Sequence, residues 1–127
     1  MVWKLYDYVD EHGVNDIKRW TETLEKKQLA KLNQKLDMLE ISGPDLSPQL
    51  LSDAGESQIK KLRVKGNVQL RPLLCIGPIN RGNEFTLLLG AIEKGSKYIP
   101  KNAPKIAKER REIVIKNPAR RIDHEPV

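Results

Sequence analysis

The sequence predicts an α+β fold in which helices lie against one antiparallel sheet. Three observations carry that prediction. The apolar period is two at the amino terminus and lengthens to a helical period from Asn15 to Leu39; three apolar runs in the second half are joined by short Gly/Asn turns; and a last helical stripe stops at Asn117-Pro118. At 127 residues the chain suits one domain with a real core, so residues 1–127 are read as a single unit.

The elements follow in order. Trp3 and Leu5 alternate with Lys4 and Tyr6, which makes a short strand ending near His12-Gly13. Asn15 is placed to cap a helix on which Ile17, Trp20 and Leu24 recur at three and four residues. Leu29, Leu32, Leu36 and Leu39 continue that spacing up to Gly43-Pro44, but the step of five from Leu24 to Leu29 breaks the phase and predicts a helical pair. Lys26, Lys27, Lys31 and Lys35 then fall on an outer, solvated face. Gly43 to Glu56, with two Pro and two Gly, reads as a surface loop.

Ile59–Lys65, Val68–Ile76 and Phe85–Ile92 read as three strands of an antiparallel meander, the last apolar enough to be covered on both faces. A polar stretch from Glu93 leads to a helix that Asn102 can cap and Pro104 can open, with Ile106, Ala107, Ile113 and Val114 as its packing stripe. Residues 118–127 are expected to be a loose tail.

Charge is unevenly distributed. Met1 to Glu56 holds seven Lys and Arg against eleven Asp and Glu, whereas Ser57 to Val127 holds sixteen against six. A front of −4 and a back of +10 in one small domain point to a polyanionic partner. The single cysteine, Cys75, excludes an internal disulfide and a cysteine zinc cluster, and suits a buried small hydrophobe in a reducing cytoplasm. No apolar run approaches the roughly 20 residues of a spanning helix, and the amino terminus lacks a signal-peptide pattern, so no membrane is expected. With one Phe, two Trp and three Tyr, contacts to phosphate outweigh base stacking.

Alternation along the first meander strand puts Lys61, Arg63 and Lys65 on one face at roughly 6.6 Å spacing. Three cations on a sheet face either meet water or meet an anion. Arg71 lies among apolar residues on the next strand, and Lys94, Lys97 and Tyr98 follow the third. Convergence of Lys61, Arg63, Arg71 and Lys94 would form a phosphate site from point charges and an Arg fork. No Walker-type or dinucleotide glycine loop is present. His12 and His124 stand far apart near opposite ends, and each is expected to be exposed and without a catalytic part. Asp7, Asp10 and Glu11 have no evident partner.

Taken in order, K-K-L-R-V-K-G (60–66), L-R-P-L-L (70–74), L-L-L-G-A-I-E-K (87–94), K-Y-I-P-K (97–101) and I-A-K-E-R-R (106–111) resemble the RelE/HigB-like toxins of bacterial toxin–antitoxin systems, in their phage-derived HigB-like branch. The resemblance covers about Gln58 to Arg111 by motif and the amino-terminal strand and helices by topology. It implies a RelE-like α+β fold: an amino-terminal strand, a two-helix hairpin, a three-stranded meander and a carboxy-terminal helix. It also implies an endoribonuclease that enters the ribosome, cuts messenger RNA and stops translation. The cut uses the RNA's own 2′-OH, so no cofactor or metal is expected.

By the same resemblance, the catalytic set is Lys61 as base candidate, Arg71 on the phosphate, Lys94 as a further cation and Tyr98 for stacking or proton handling. Clustered lysines disfavour one another's charge, which is the reason a lysine suits the base role. Lys60, Arg63, Lys65, Lys97 and Lys101 are the RNA-binding candidates. Two departures stand out: Pro72 follows Arg71 and is expected to re-aim it, and the His/Asp cluster that some HigB toxins carry near the last strand is missing. The implied partners are the ribosome, its mRNA and an antitoxin, normally a helix-turn-helix protein encoded next door. A gyrase-inhibiting toxin of the same fold and a non-catalytic nucleic-acid-binding module are the competing expectations.

Overall fold

A computed structural model describes residues 2–126 of the chain. It is α+β, with three α-helices and nine short strands in two sheets. The first strand, β1 (Lys4–Tyr8), leads to α1 (Asp16–Glu22), whose first turn is capped by the Asn15 side chain accepting the Lys18 N–H at 3.0 Å. The phase break after Leu24 does separate two helices: α2 (Lys26–Ser42) starts afresh on a capping box between Glu25 and Gln28. It ends at Gly43, where φ is +60° and a Cβ would lie 2.5 Å from the Trp3 indole nitrogen, so only glycine fits.

The segment expected as a loop after α2 contains a strand, β2 (Leu51–Asp53), antiparallel to β3 (Lys60–Leu62). The next expected strand is broken in two. Residues of β4 (Gln69–Leu70) and β5 (Leu73–Ile76) flank Arg71-Pro72, where proline has no N–H to give to a ladder. The partner run breaks at the same level: β6 (Glu84–Leu89) stops before Gly90 and resumes as β7 (Ile92–Lys94). The Arg71 N–H donates to the Ala91 carbonyl at 2.8 Å across the corner. One long ribbon thus bends from a six-stranded sheet, ordered β2-β3-β5-β6-β1 and then the last strand, into a small second sheet.

Gly90 makes the bend possible, because a Cβ there would stand 2.2 Å from the Trp20 ring. The polar stretch expected after the meander is instead a hairpin, with β8 (Lys97–Ile99) antiparallel to β7. The last helix, α3 (Ala103–Lys116), occupies the expected span with Pro104 in its first turn, although the Asn102 side chain makes no capping bond.

The tail is not loose. Arg121–Asp123 forms β9, antiparallel to β1 at the sheet edge. His124 is not exposed either: its side chain is 5% accessible and its Nδ1 lies 2.8 Å from Asp7 Oδ1, while Asn15 donates to the other Asp7 oxygen at 2.9 Å. A buried carboxylate needs such partners, and they come from chain positions 8 and 117 residues away. His12 is exposed, as expected.

The β3-β5-β6 meander is present, and β1 joins it parallel to β6. All six residues of β6 are buried, as its apolar run requires. The core joins Leu32, Leu36 and Leu39 of α2 to Leu62, Leu73, Leu74, Phe85 and Leu88 of the sheet and to Ala103, Ala107 and Val114 of α3. Cys75 lies in it fully buried, and burial pushes its thiol pKa up to about 12. Arg110 of α3 ties the layers together, donating to both Asp16 oxygens and to the Leu88 carbonyl while its guanidinium covers Tyr8. No helix among the described residues is long and apolar enough to cross a membrane.

Candidate functional site

The seam between the two sheets gathers the chemistry. Lys61 comes from β3 in the main sheet, Arg71 from the corner, and Glu93 and Tyr98 from β7 and β8 in the second sheet. Glu93 and Tyr98 are cross-strand partners, so their side chains share a face. The Glu93 carboxylate receives the Arg71 Nε–H at 2.9 Å and has the Lys61 ammonium at 3.7 Å. That ammonium also sits 5.6 Å from the centre of the Tyr98 ring, within range of a cation–π contact. Two cations and one carboxylate leave the cluster at +1.

The cluster is largely shielded from water: side-chain accessibility is 13% for Lys61, 9% for Arg71 and 21% for Glu93. Shielding strengthens each attraction and raises the cost of losing a partner. Arg71 is held on three sides, since it also donates to its neighbour's Leu70 carbonyl at 2.8 Å and to Gln69 Oε1 at 3.2 Å. A guanidinium has five N–H donors. Among the described residues three of them are engaged on Arg71, which leaves two without a protein acceptor.

Three of the four expected catalytic residues therefore meet, and the fourth does not. Lys94 follows Glu93 on β7 and emerges on the opposite face, paired in register with Lys97. It is exposed and lines a shallow cavity with Asn67, Val68, Gln69 and Glu93, so that cavity borders the cluster through Glu93 and through Gln69, which accepts from Arg71. Arg63 does not join the cluster either. The β3 ladder ends at Leu62, and Arg63 and Lys65 line a groove against α2 with Lys31, Gln34 and Lys35. The expected four-cation phosphate site is thus divided among three places. Lys60 is spent on Asp53, its cross-strand partner, at 2.6 Å, and that bond holds the Asp53 carboxyl below its usual range. Lys97 and Lys101 are exposed at the far end of the second sheet and in the turn before α3.

Glu93 is the residue that sequence reasoning missed. Its alternation with Ile92 and Lys94 ahead of Gly95-Ser96 is a hairpin signal that could have placed it on a strand face. Its presence changes the electrostatics, because it sets a carboxylate 3.7 Å from the Lys61 ammonium. No group of three or more His, Cys, Asp or Glu among the described residues is arranged to hold a metal ion. No protein-family model, curated protein or solved structure matches the chain.

Proposed function

We propose that the chain is a RelE/HigB-like toxin: a ribosome-dependent endoribonuclease that cuts mRNA by 2′-OH attack in the cytoplasm and is neutralised by a cognate antitoxin. One observation carries the proposal. A carboxylate, an ammonium, a guanidinium and a tyrosine ring meet at the seam of the two sheets, which is the set that RNA transesterification calls for.

In this scheme Glu93 takes the 2′-OH proton. The 2′ oxygen then bonds to the adjacent phosphorus, the bond from phosphorus to the 5′ oxygen breaks, and the leaving oxygen takes a proton from Lys61 or water. The products are a 2′,3′-cyclic phosphate and a 5′-OH end. Arg71 turns its two remaining N–H donors to the phosphate oxygens, and Tyr98 supports a base. The chemistry needs no metal in any step. Lys94, on the other face of β7, binds RNA at a distance from the bond that breaks.

The test is cleavage of mRNA on purified ribosomes programmed with a defined message, read by primer extension. Cuts that depend on the ribosome, and that vanish in Glu93→Gln and Arg71→Ala proteins with intact folds, support the proposal. Intact message throughout sinks it. One observation favours a non-catalytic reading: the three protein bonds of Arg71 make it a good structural arginine. RNA that is bound and never cut would decide for that reading.

A further inference from the structure

We propose that the groove between α2 and the chain from Arg63 to Gly66 is a binding site for the phosphodiester backbone of RNA, separate from the seam cluster. This inference deepens the proposed function and rests on it for the choice of RNA.

The groove encloses a cavity of about 340 Å³ whose charged lining is Lys31, Lys35, Arg63 and Lys65, with Gln34, Gln49 and Leu50 and no carboxylate. A second cavity of about 250 Å³ shares Lys31 and Lys65 and continues past Lys27. The one carboxylate on it, Glu25, is turned to the first turn of α2 in the capping box. Lys27, Lys31 and Lys35 recur every four residues, so they stack on one stripe of α2 over about 12 Å. Like charges at that spacing destabilise a helix, and among the described residues none of these cations has an ion-pair partner.

Arg63 supplies an independent sign. Its Nε is buried and has no hydrogen-bond partner among the described residues. Buried donors in native structures are satisfied, so the unpaired Nε shows that the protein does not take up the full donor set of this guanidinium, whose residue lines the cavity. The Lys31 ammonium reaches the Lys65 carbonyl at 3.4 Å, a long, exposed contact that links the two walls of the groove. Point charges along a helix stripe beside one Arg fork suit a chain of phosphates better than a single small anion. The lysines that look like an ordinary solvated face in the sequence become, on this geometry, one wall of a site.

The probe is a fluorescein-labelled 20-nucleotide RNA with 2′-O-methyl groups throughout, which the chain cannot cleave, titrated by anisotropy at several salt concentrations. Each phosphate contact contributes about 0.7 to the slope of log K against log salt for a single strand. Lys31→Gln/Lys35→Gln together lower the slope by about 1.4 and weaken binding about tenfold or more. Arg63→Lys, which keeps the charge and loses the fork, also weakens binding. Lys4→Gln/Lys18→Gln removes the same charge from exposed positions outside the groove and changes the slope by less than half as much. Equal effects of the two double variants, or none from either, overturn the groove. So does a polyglutamate peptide that binds as tightly as the RNA and is released by the same substitutions, since the site would then take acidic protein. Failure of the proposed chemistry reads differently: the methylated RNA binds through the groove and unmodified mRNA on ribosomes stays whole.

Discussion

Glu93 is the keystone of the seam, and its removal gives a prediction that separates structure from chemistry. In Glu93→Ala the Arg71 guanidinium keeps its bonds to Leu70 and Gln69 but loses a charge-assisted bond at 2.9 Å. Such bonds are worth about 1.5–3 kcal/mol. The Lys61 ammonium loses a longer contact at 3.7 Å beside a ring, for about 1 kcal/mol at most. The sum, about 2–4 kcal/mol, is a large share of the stability of a domain of this size. Urea unfolding followed by the fluorescence of Trp3 and Trp20 reads it, and with a slope of about 2 kcal/mol per molar the midpoint falls by about 1–2 M. Glu93→Gln keeps an acceptor for Arg71 and costs about 1 kcal/mol, yet without its base it loses about 10²–10⁴ in cleavage rate. A double-mutant cycle with Arg71→Ala should return a coupling of at least 1 kcal/mol. A loss below about 0.5 kcal/mol in Glu93→Ala with no coupling would refute the reasoning, because it would mean that these cations are solvated and the seam holds no preorganised site.

Other consequences can be checked independently. His124→Ala strips the buried Asp7 carboxylate of one partner and is expected to cost about 1.5–3 kcal/mol in the same unfolding assay; removal of residues 121–127 costs at least as much, since it also uncovers the β1 edge. Cys75, with its thiol pushed up to about 12 by burial, presents about one thiolate in ten thousand at pH 8. A thiol reagent should therefore label it only in denaturant; fast labelling of the native chain would contradict the packing. Burial, and then the Asp37 charge, raise the Glu40 carboxyl above its ordinary value. The folded state then holds that proton to higher pH than the unfolded chain, so stability falls as pH rises through this window. Glu40→Gln is expected to be more stable than the parent at pH 7, with the gain vanishing below about pH 4, the range of an ordinary carboxylate.

Much of the fold is legible in the residues because its signals are local. The Asn15 cap, the phase break after Leu24, the Gly43-Pro44 stop and the apolar run of β6 each act within a few residues of themselves, and all appear where expected. The missed elements are β2, β8 and β9, each three residues long. A strand that short carries one or two alternations, too few to show a period, and is fixed by the neighbour it pairs with. The tail is the clearest case: nothing within 118–127 announces a strand, and what holds it is the buried Asp7 and the open edge of β1, more than a hundred residues back.

The candidate site divides along the same line. The sequence by itself determined that cations crowd the second half, that Lys61 lies on a strand, and that Pro72 beside Arg71 disturbs the run which pairs with it. Only the tertiary structure decided which of those cations meet. The ribbon bends at Arg71-Pro72 and Gly90-Ala91, with the Trp20 ring packed where a side chain on Gly90 would stand. That bend swings Glu93 and Tyr98 over Lys61, turns Lys94 away, and leaves Arg63 to face the lysines of α2. Alternation assigns a side chain to a face of its own strand, but where that face points depends on contacts between segments far apart in the chain, and those no single stretch of residues encodes.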